Sequence, residues 1–476
     1  MVSLADSELL ARLRNADGKI RSHYPGEPSP AQPVHTVYVN ADAFSPSTPA
    51  SLMAHARNAL SWYGASPGTF AHAIGLDGYP TLPDPAAETA DARALQRDPA
   101  AVQARAPHVW LAHQVHARVR RKLAGPAVAD IRIDFEDGYG MRPDPEEDAD
   151  AIRCAQAVAT LAERGELPAR IGLRIEPLDT PNVDRAVRTL ELFVDTLVEQ
   201  TGGMLASELV VTVPKVCHDA QARTADALLD ELERRHGLAN GRIRIELMVE
   251  MTQALIGPDG RCPLPAIVDA GGPRVLGVHL GVYDYTAACQ LSPLAQAPDH
   301  PMCDLARATM RWALGGTGVC LSDGATNVLP VGPHPGEPTA LSSAQREANA
   351  AAVHRGWRAS FRHVGHALSQ GYYQGWDMHG AQLPARYAAV YAHFVAGFDT
   401  AAARLRAIVS DLTAAQQHGD ALDDAATASA LFAFVARAFH CGAIDADELR
   451  LTGLRRSDLE RGSFAALARA RRGEAT

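Results

Sequence analysis

The chain has 476 residues, 47% of them hydrophobic, and a formal net charge of −10. That length is enough for a large core with appendages or for two to three domains, while the acidic balance lacks the basic footprint of a nucleic-acid binder. No basic leader precedes an apolar run and no segment is long enough to span a bilayer, so a cytoplasmic protein without a membrane partner is expected. The seven cysteines are scattered, with no CxxC pair, which excludes a disulfide framework and a zinc site of that type.

Residues 3–15 carry Leu4, Leu9, Leu10 and Leu13 near helical spacing, and the Pro-rich stretch Pro25 to Pro33 ends that helix. A first strand, 36–39, leads through Asn40 to Phe44 into a helix. A Pro- and Ala-rich insertion over 75–107 follows, long enough to be a functional loop or a small excursion. Strands are then expected at 130–135, 171–175, 208–213, 243–249, 275–280, 318–321 and 372–377, with helical stretches such as 148–163, 183–199 and 220–236 between them. Eight strands alternating with helices give an α/β fold, the (β/α)8 TIM barrel. It is expected over 34–396, after an N-terminal helix and linker at 1–33. Residues 397–476 form a helical, strand-free C-terminal segment, with helices at 400–417 and 424–441 and a capping box at Ser457 to Glu460. That tail closes the barrel mouth, packs on a neighbouring subunit in a homo-oligomer, or does both.

Three of the strands alternate aliphatic with charged residues: Ile131 to Asp137, Ile171 to Glu176 and Ile243 to Glu250. Successive side chains of a strand point to opposite faces, which groups Arg132 with Asp134 and Glu136, Gly172 with Arg174 and Glu176, and Arg244 with Glu246 and Glu250. Both faces of a parallel sheet are covered, and charges there need partners or a ligand, so these faces are expected to line an active site. In a barrel the chemistry gathers at the C-terminal strand ends. The residues found there are Asp134, Glu136 and Asp137 after the second strand, Arg174 after the third, Lys215 after the fourth and Glu250 after the fifth. Asp284, Asp323 and His379 follow the sixth, seventh and eighth. Carboxylates without a His/Cys cluster favour Mg2+ or Mn2+ over zinc. His279 reads as a hydrogen-bonded barrel histidine, and Tyr372 to Trp376 as core with some pocket wall.

The segments Asp134-Phe-Glu-Asp137, Arg174-Ile-Glu, Pro214-Lys215, Glu250 in Val-Glu-Met-Thr, Gly281-Val-Tyr-Asp284 and His379-Gly-Ala-Gln382 stand in an order that resembles the citrate lyase beta-chain and 2-oxo-acid aldolase family. More distantly the set is similar to malate synthase. The resemblance spans roughly residues 130–390 and implies a pyruvate/phosphoenolpyruvate-type barrel with a divalent metal on Glu250 and Asp284. It implies that Arg174 steadies an enolate or carbonyl oxygen, with Asp134, Glu136 and Asp137 orienting it. Lys215, Gly281, Asp323 and His379, at or beside the strand ends, are expected to take part in substrate binding, and backbone N–H groups at the start of a helix after Asp284 are placed to hold a substrate carboxylate. Three places depart from the pattern: Met251 stands between Glu250 and Thr252, Gly138-Tyr-Gly140 replaces a serine, and Gly380 follows His379 where proline is usual. Asp323 and His379 are both candidates for the general base.

The function implied is a Mg2+-dependent carbon–carbon lyase or aldolase acting on a 2-oxo acid or acyl-CoA through a metal-stabilised enolate. Malate synthase-like condensation with thioester hydrolysis is the second reading, and a non-catalytic barrel that binds a 2-oxo acid or acyl-CoA the third. A Schiff base on Lys215 would instead make the protein a metal-independent aldolase.

Overall fold

In the computed structural model, which describes residues 8–82, 88–203, 207–411 and 425–471, the alternating segments become parallel strands of one closed barrel. The strands are β1 (His35–Asn40), β2 (Asp130–Asp134), β3 (Arg170–Arg174), β4 (Glu208–Val213), β5 (Ile243–Val249), β6 (Val275–Leu280), β7 (Cys320–Ala325) and β8 (Gln374–Asp377), paired in sequence order and closed by β8 on β1. The fold is thus the (β/α)8 barrel with helical extensions. Its largest departure from expectation is β7, which begins two residues late, as β8 also does, and ends four residues late at Ala325. Gly316 and Gly318 adopt φ of 78° and 79°, and Thr317 between them bridges Gly26 outside the barrel, so the chain enters the sheet only at Cys320.

Helix α1 (Glu8–His23) precedes β1 and has no buried residue. Five helices separate β1 from β2: α2 (Thr48–Tyr63), α3 (Pro67–Ile74), α4 (Glu88–Arg97), α5 (Pro99–Arg105) and α6 (Pro107–Ala124). The described part of the expected insertion is therefore largely helical, and Gln103 of α5 donates to Asp399 at 2.6 Å. Further on come α7 (Asp144–Arg164), α8 (Val183–Thr201), α9 (Asp219–His236), α10 (Leu264–Ala270), α11 (Val282–Ala288), α12 (Pro301–Leu314), α13 (Ser343–Ser369) and α14 (Leu383–Asp411). The chain ends in α15 (Ala425–Cys441), α16 (Ala446–Leu451), α17 (Arg456–Leu459) and α18 (Phe464–Arg471). Ser457 lies inside α17 rather than capping a helix, and Ser463 supplies the hydroxyl for α18 by accepting the Ala466 N–H at 3.2 Å.

The C-terminal helices pack away from the barrel mouth. Arg437 of α15 lies 4.3 Å from the Tyr373 ring and 3.5 Å from Glu27, and Arg118 of α6 donates to the Ala443 carbonyl at 2.7 Å. Tyr373 and Glu27 flank the N-terminal ends of the strands, so the described tail covers that end. Among the described residues, no helix is long and apolar enough to cross a membrane.

Aliphatic residues such as Ile131, Ile171, Leu209 and Ile243 share one register and join the core under the helices. The barrel interior is polar instead. Arg132 donates to Asp130 at 2.6 Å and Thr212 at 2.9 Å, and Thr212 donates to Glu246 at 2.8 Å, all four residues being buried. This corrects the expectation that the whole charged face lines a site. Arg132 and Glu246 satisfy one another in the middle of the barrel, and Arg244 faces a cavity at the opposite end with Pro25 and Val319. Only the uppermost charged residues of these strands remain for ligands.

Candidate active site

A cavity of about 760 Å3 opens at the C-terminal strand ends. Asp134, Asp137, Arg174, Glu250, Gly281, Asp284 and His379 all line it, whereas Glu136, Lys215 and Asp323 do not.

Arg174 is the fixed positive charge. Its Nε and Nη2 donate to the two Asp134 oxygens at 2.6 and 2.7 Å, and Nη1 lies 2.9 Å from Glu136. The guanidinium also lies 5.3 Å from the Tyr38 ring centre and 5.2 Å from that of Trp376. Burial works against its charge, but Asp134, Glu136 and Glu250 outweigh burial and hold its pKa well above the ordinary value. Asp134 is fully committed to bracing: it also accepts the Glu136 and Gly138 N–H groups, each at 3.1 Å. A Cβ at position 138 would lie 2.4 Å from Asp134 Oδ2 and 2.5 Å from Asn40 Oδ1, which accounts for glycine where the resembled family has serine.

Lys215 sits among the acids. Its backbone, in the left-handed region at φ 51°, directs the N–H to Glu250 Oε2 at 2.8 Å. Its Nζ meets Glu136, lies 2.9 Å from Asp137 and is 3.9 Å from Asp284. Burial disfavours the ammonium, yet Glu136 and its neighbours prevail and raise its pKa. A Schiff-base nucleophile must lose that proton, so the arrangement opposes covalent use of Lys215.

Glu250 and Asp284 reach the cavity from adjacent strand ends and share Lys215 as a neighbour. Burial pushes the Glu250 carboxyl up to about 7, against the pull of Arg174 and Lys215, and burial raises Asp284 as well. A Cβ on Gly281 would stand 2.5 Å from Glu250 Oε1, so this glycine makes room for the acid. Two oxygen donors on one cavity fit a hard divalent cation whose remaining positions go to water and ligand oxygens. Among the described residues no group of three or more His, Cys, Asp or Glu is arranged around a metal position, so the protein's own donors to any ion here are these two carboxylates. The helix expected after Asp284 in fact begins at Val282, which puts Asp284 in its first turn.

Asp323 points away from the cavity. It lies within β7 and accepts from Arg307 of α12 at 3.0 and 3.1 Å. His379 does face the cavity, stacked on His55 of α2 with ring centres 4.8 Å apart. His279 is fully buried and, among the described residues, neither ring nitrogen has a hydrogen-bond partner, contrary to the expectation of a partnered barrel histidine. Burial lowers it to about 3. Trp376 lines the cavity while Tyr372 is core, donating to the Arg307 carbonyl at 2.9 Å.

One wall was invisible in the sequence. It comes from the end of β1 and the start of α2, with Asn40, Ser47, Thr48, Ser51 and His55. The Ser45-Pro-Ser-Thr48 helix-start signal marks the turn but not its position over the barrel.

The family model described as "Domain of unknown function (DUF6986)" matches residues 13–467. The chain belongs to that family. Similar solved structures are Haloferax volcanii malate synthases. Its lead(II) complex is 17% identical at a TM-score of 0.40, covering 54% of the DUF6986 chain and 63% of the other. The magnesium/glyoxylate complex is 15% identical at 0.40, covering 54% and 64%. The pyruvate/acetyl-CoA ternary complex is 14% identical at 0.36, covering 72% and 89%. The DUF6986 chain thus spans less than two thirds of the first two. A comparison with curated proteins finds no match.

Proposed function

We propose that the chain is an enzyme that makes or breaks a carbon–carbon bond beside the carbonyl of a 2-oxo acid, with Glu250 and Asp284 holding Mg2+ or Mn2+. The observation that carries this is the braced Arg174 guanidinium on the same cavity as those two carboxylates. The order of motifs resembling the citrate lyase beta-chain and 2-oxo-acid aldolase family supports the lyase or aldolase direction.

Arg174 cannot relax away from a developing negative charge, because three of its donors are tied to Asp134 and Glu136. Preorganised positive charge in a buried site stabilises an enolate oxygen more than a neutral carbonyl. The metal, when bound, supplies Lewis acidity toward the carbonyl and carboxylate oxygens. Lys215 orients Glu250 through its backbone and balances Glu136 and Asp137 through its ammonium.

Malate synthase-like condensation of an acyl-CoA is the second reading. It is favoured by the hydroxyl-rich wall of Ser45, Ser47, Thr48 and Ser51, which gives the cavity a polar flank for a larger partner. The test is assay of the purified chain with Mg2+ against hydroxy-oxo acids, and against acetyl-CoA with glyoxylate or pyruvate. EDTA-sensitive turnover that disappears in Glu250→Ala and Asp284→Ala is expected. Ligand binding without turnover across both panels would replace the enzyme with a binding barrel.

A further inference from the structure

The turn after β8 fixes where one cavity histidine carries its proton. His379 is the N-cap of the turn Gly380–Gln382, and the Ala381 backbone N–H donates to its Nδ1 at 3.1 Å. Gln382 Oε1 accepts the backbone N–H groups of His379 and Met378 at 3.1 and 2.8 Å, which locks the turn. A backbone N–H can only donate, so Nδ1 must offer its lone pair. The hydrogen of the neutral ring then belongs to Nε2.

Two further features keep that state. Protonating the ring would put an Nδ1–H against the Ala381 N–H, and His55 stacks over it with an interplanar angle of 15°. Among the described residues, burial and then His55 set the ring's charge state, and both oppose the imidazolium. Among the described residues no hydrogen bond engages Nε2, and the residue lines the cavity.

We propose that His379 is a neutral hydrogen-bond donor, not a general base: its Nε2–H grips an oxygen acceptor of the ligand. Resting on the reading of the cavity as a 2-oxo-acid site, the acceptor is a carbonyl or carboxylate oxygen. His379 then contributes a fixed dipole to the cavity that Arg174 also lines and removes no proton.

Two measurements test this, and the first needs no ligand. With histidine-selective 15N labelling of the full chain, two-bond nitrogen–proton spectra assign the His379 ring by its loss in His379→Asn. The expected pattern is the Nε2–H tautomer, unchanged from about pH 8 to about pH 5.5, where an ordinary histidine becomes charged. An Nδ1–H tautomer, or titration near the ordinary value, would overturn the proposal. The second is calorimetric titration with oxalate plus Mg2+. His379→Asn keeps an acceptor for the Ala381 N–H but has no donor at the Nε2 position, so it should melt like wild type and bind oxalate about tenfold more weakly. His379→Gln places an amide near Nε2 and loses the cap, so it should melt earlier and keep most of the affinity. Equal oxalate affinity in wild type and His379→Asn overturns the donor role. If wild type itself fails to bind oxalate, the 2-oxo-acid reading falls, and the tautomer spectrum still decides the state of His379.

Discussion

Replacing Asp134 by Asn tests the brace on which the proposed chemistry depends. Asp134 and Arg174 side chains are 3% and 2% exposed, so their attraction is not screened as a surface pair would be. Removing one partner of such a pair costs about 3–5 kcal/mol, because it strands the other charge in the interior. Asn retains the shape and one acceptor oxygen, and Glu136 still lies 2.9 Å from Arg174, which puts the loss near the lower bound, about 3 kcal/mol. Arg174→Met should cost at least as much, since it leaves Asp134 and Glu136 facing each other without that cation. The double variant removes both charges of the pair and should be less destabilised than the sum of the singles by about 1–3 kcal/mol. Urea denaturation followed by tryptophan fluorescence suits the measurement, because Trp376 lies 5.2 Å from the guanidinium and reports locally. Additive losses, or an Asp134→Asn cost under about 1 kcal/mol, would show that Arg174 is not held by this pair.

Gly281→Ala should displace Glu250, whose Cγ would lie 2.3 Å from the new methyl; a stability loss of about 1–3 kcal/mol and weaker Mg2+ binding by calorimetry are expected, and unchanged Mg2+ affinity would count against Glu250 as a ligand. Borohydride reduction with pyruvate should leave the intact mass unchanged, since the Lys215 ammonium is held by Glu136 and Asp137; an adduct mapped to Lys215 would reverse that assignment. Stability should fall with acid through two buried histidines. Burial depresses His279 to about 3 and His35 to about 4, while the unfolded chain takes up those protons near pH 6.5, so their contribution is full above that pH and is lost as pH falls toward the folded values. The slope should approach about 1.4 kcal/mol per pH unit for each histidine, and His279→Phe should remove one of the two protons from it. A pH profile identical in wild type and His279→Phe would refute the linkage.

The strands were legible because each carries a period-two pattern that the parallel sheet uses directly: Ile131 and Ile133 go under the helices, Arg132 and Asp134 go inside. Depth inside the barrel was not legible, since the pattern gives the face and not the height. Arg132 and Asp134 look equivalent in sequence, yet one closes the interior with Asp130 and Thr212 while the other meets Arg174 at the cavity floor. Height depends on how each strand is staggered against its neighbours, a property of the closed barrel rather than of any one strand. Asp323 illustrates the complementary failure. It follows Ser322 by a single residue, and that one step turns it outward to Arg307, so a position near a strand end was insufficient to place it in the site. The α2 wall was hidden for a third reason. His55 lies 324 residues from His379 in sequence, and their stacking arises only when β8 closes on β1 and brings the turns above both strands together. Ring closure therefore does two things at once here. It removes the sheet's open edges, and it completes the cavity by joining the first βα turn of the chain to the last.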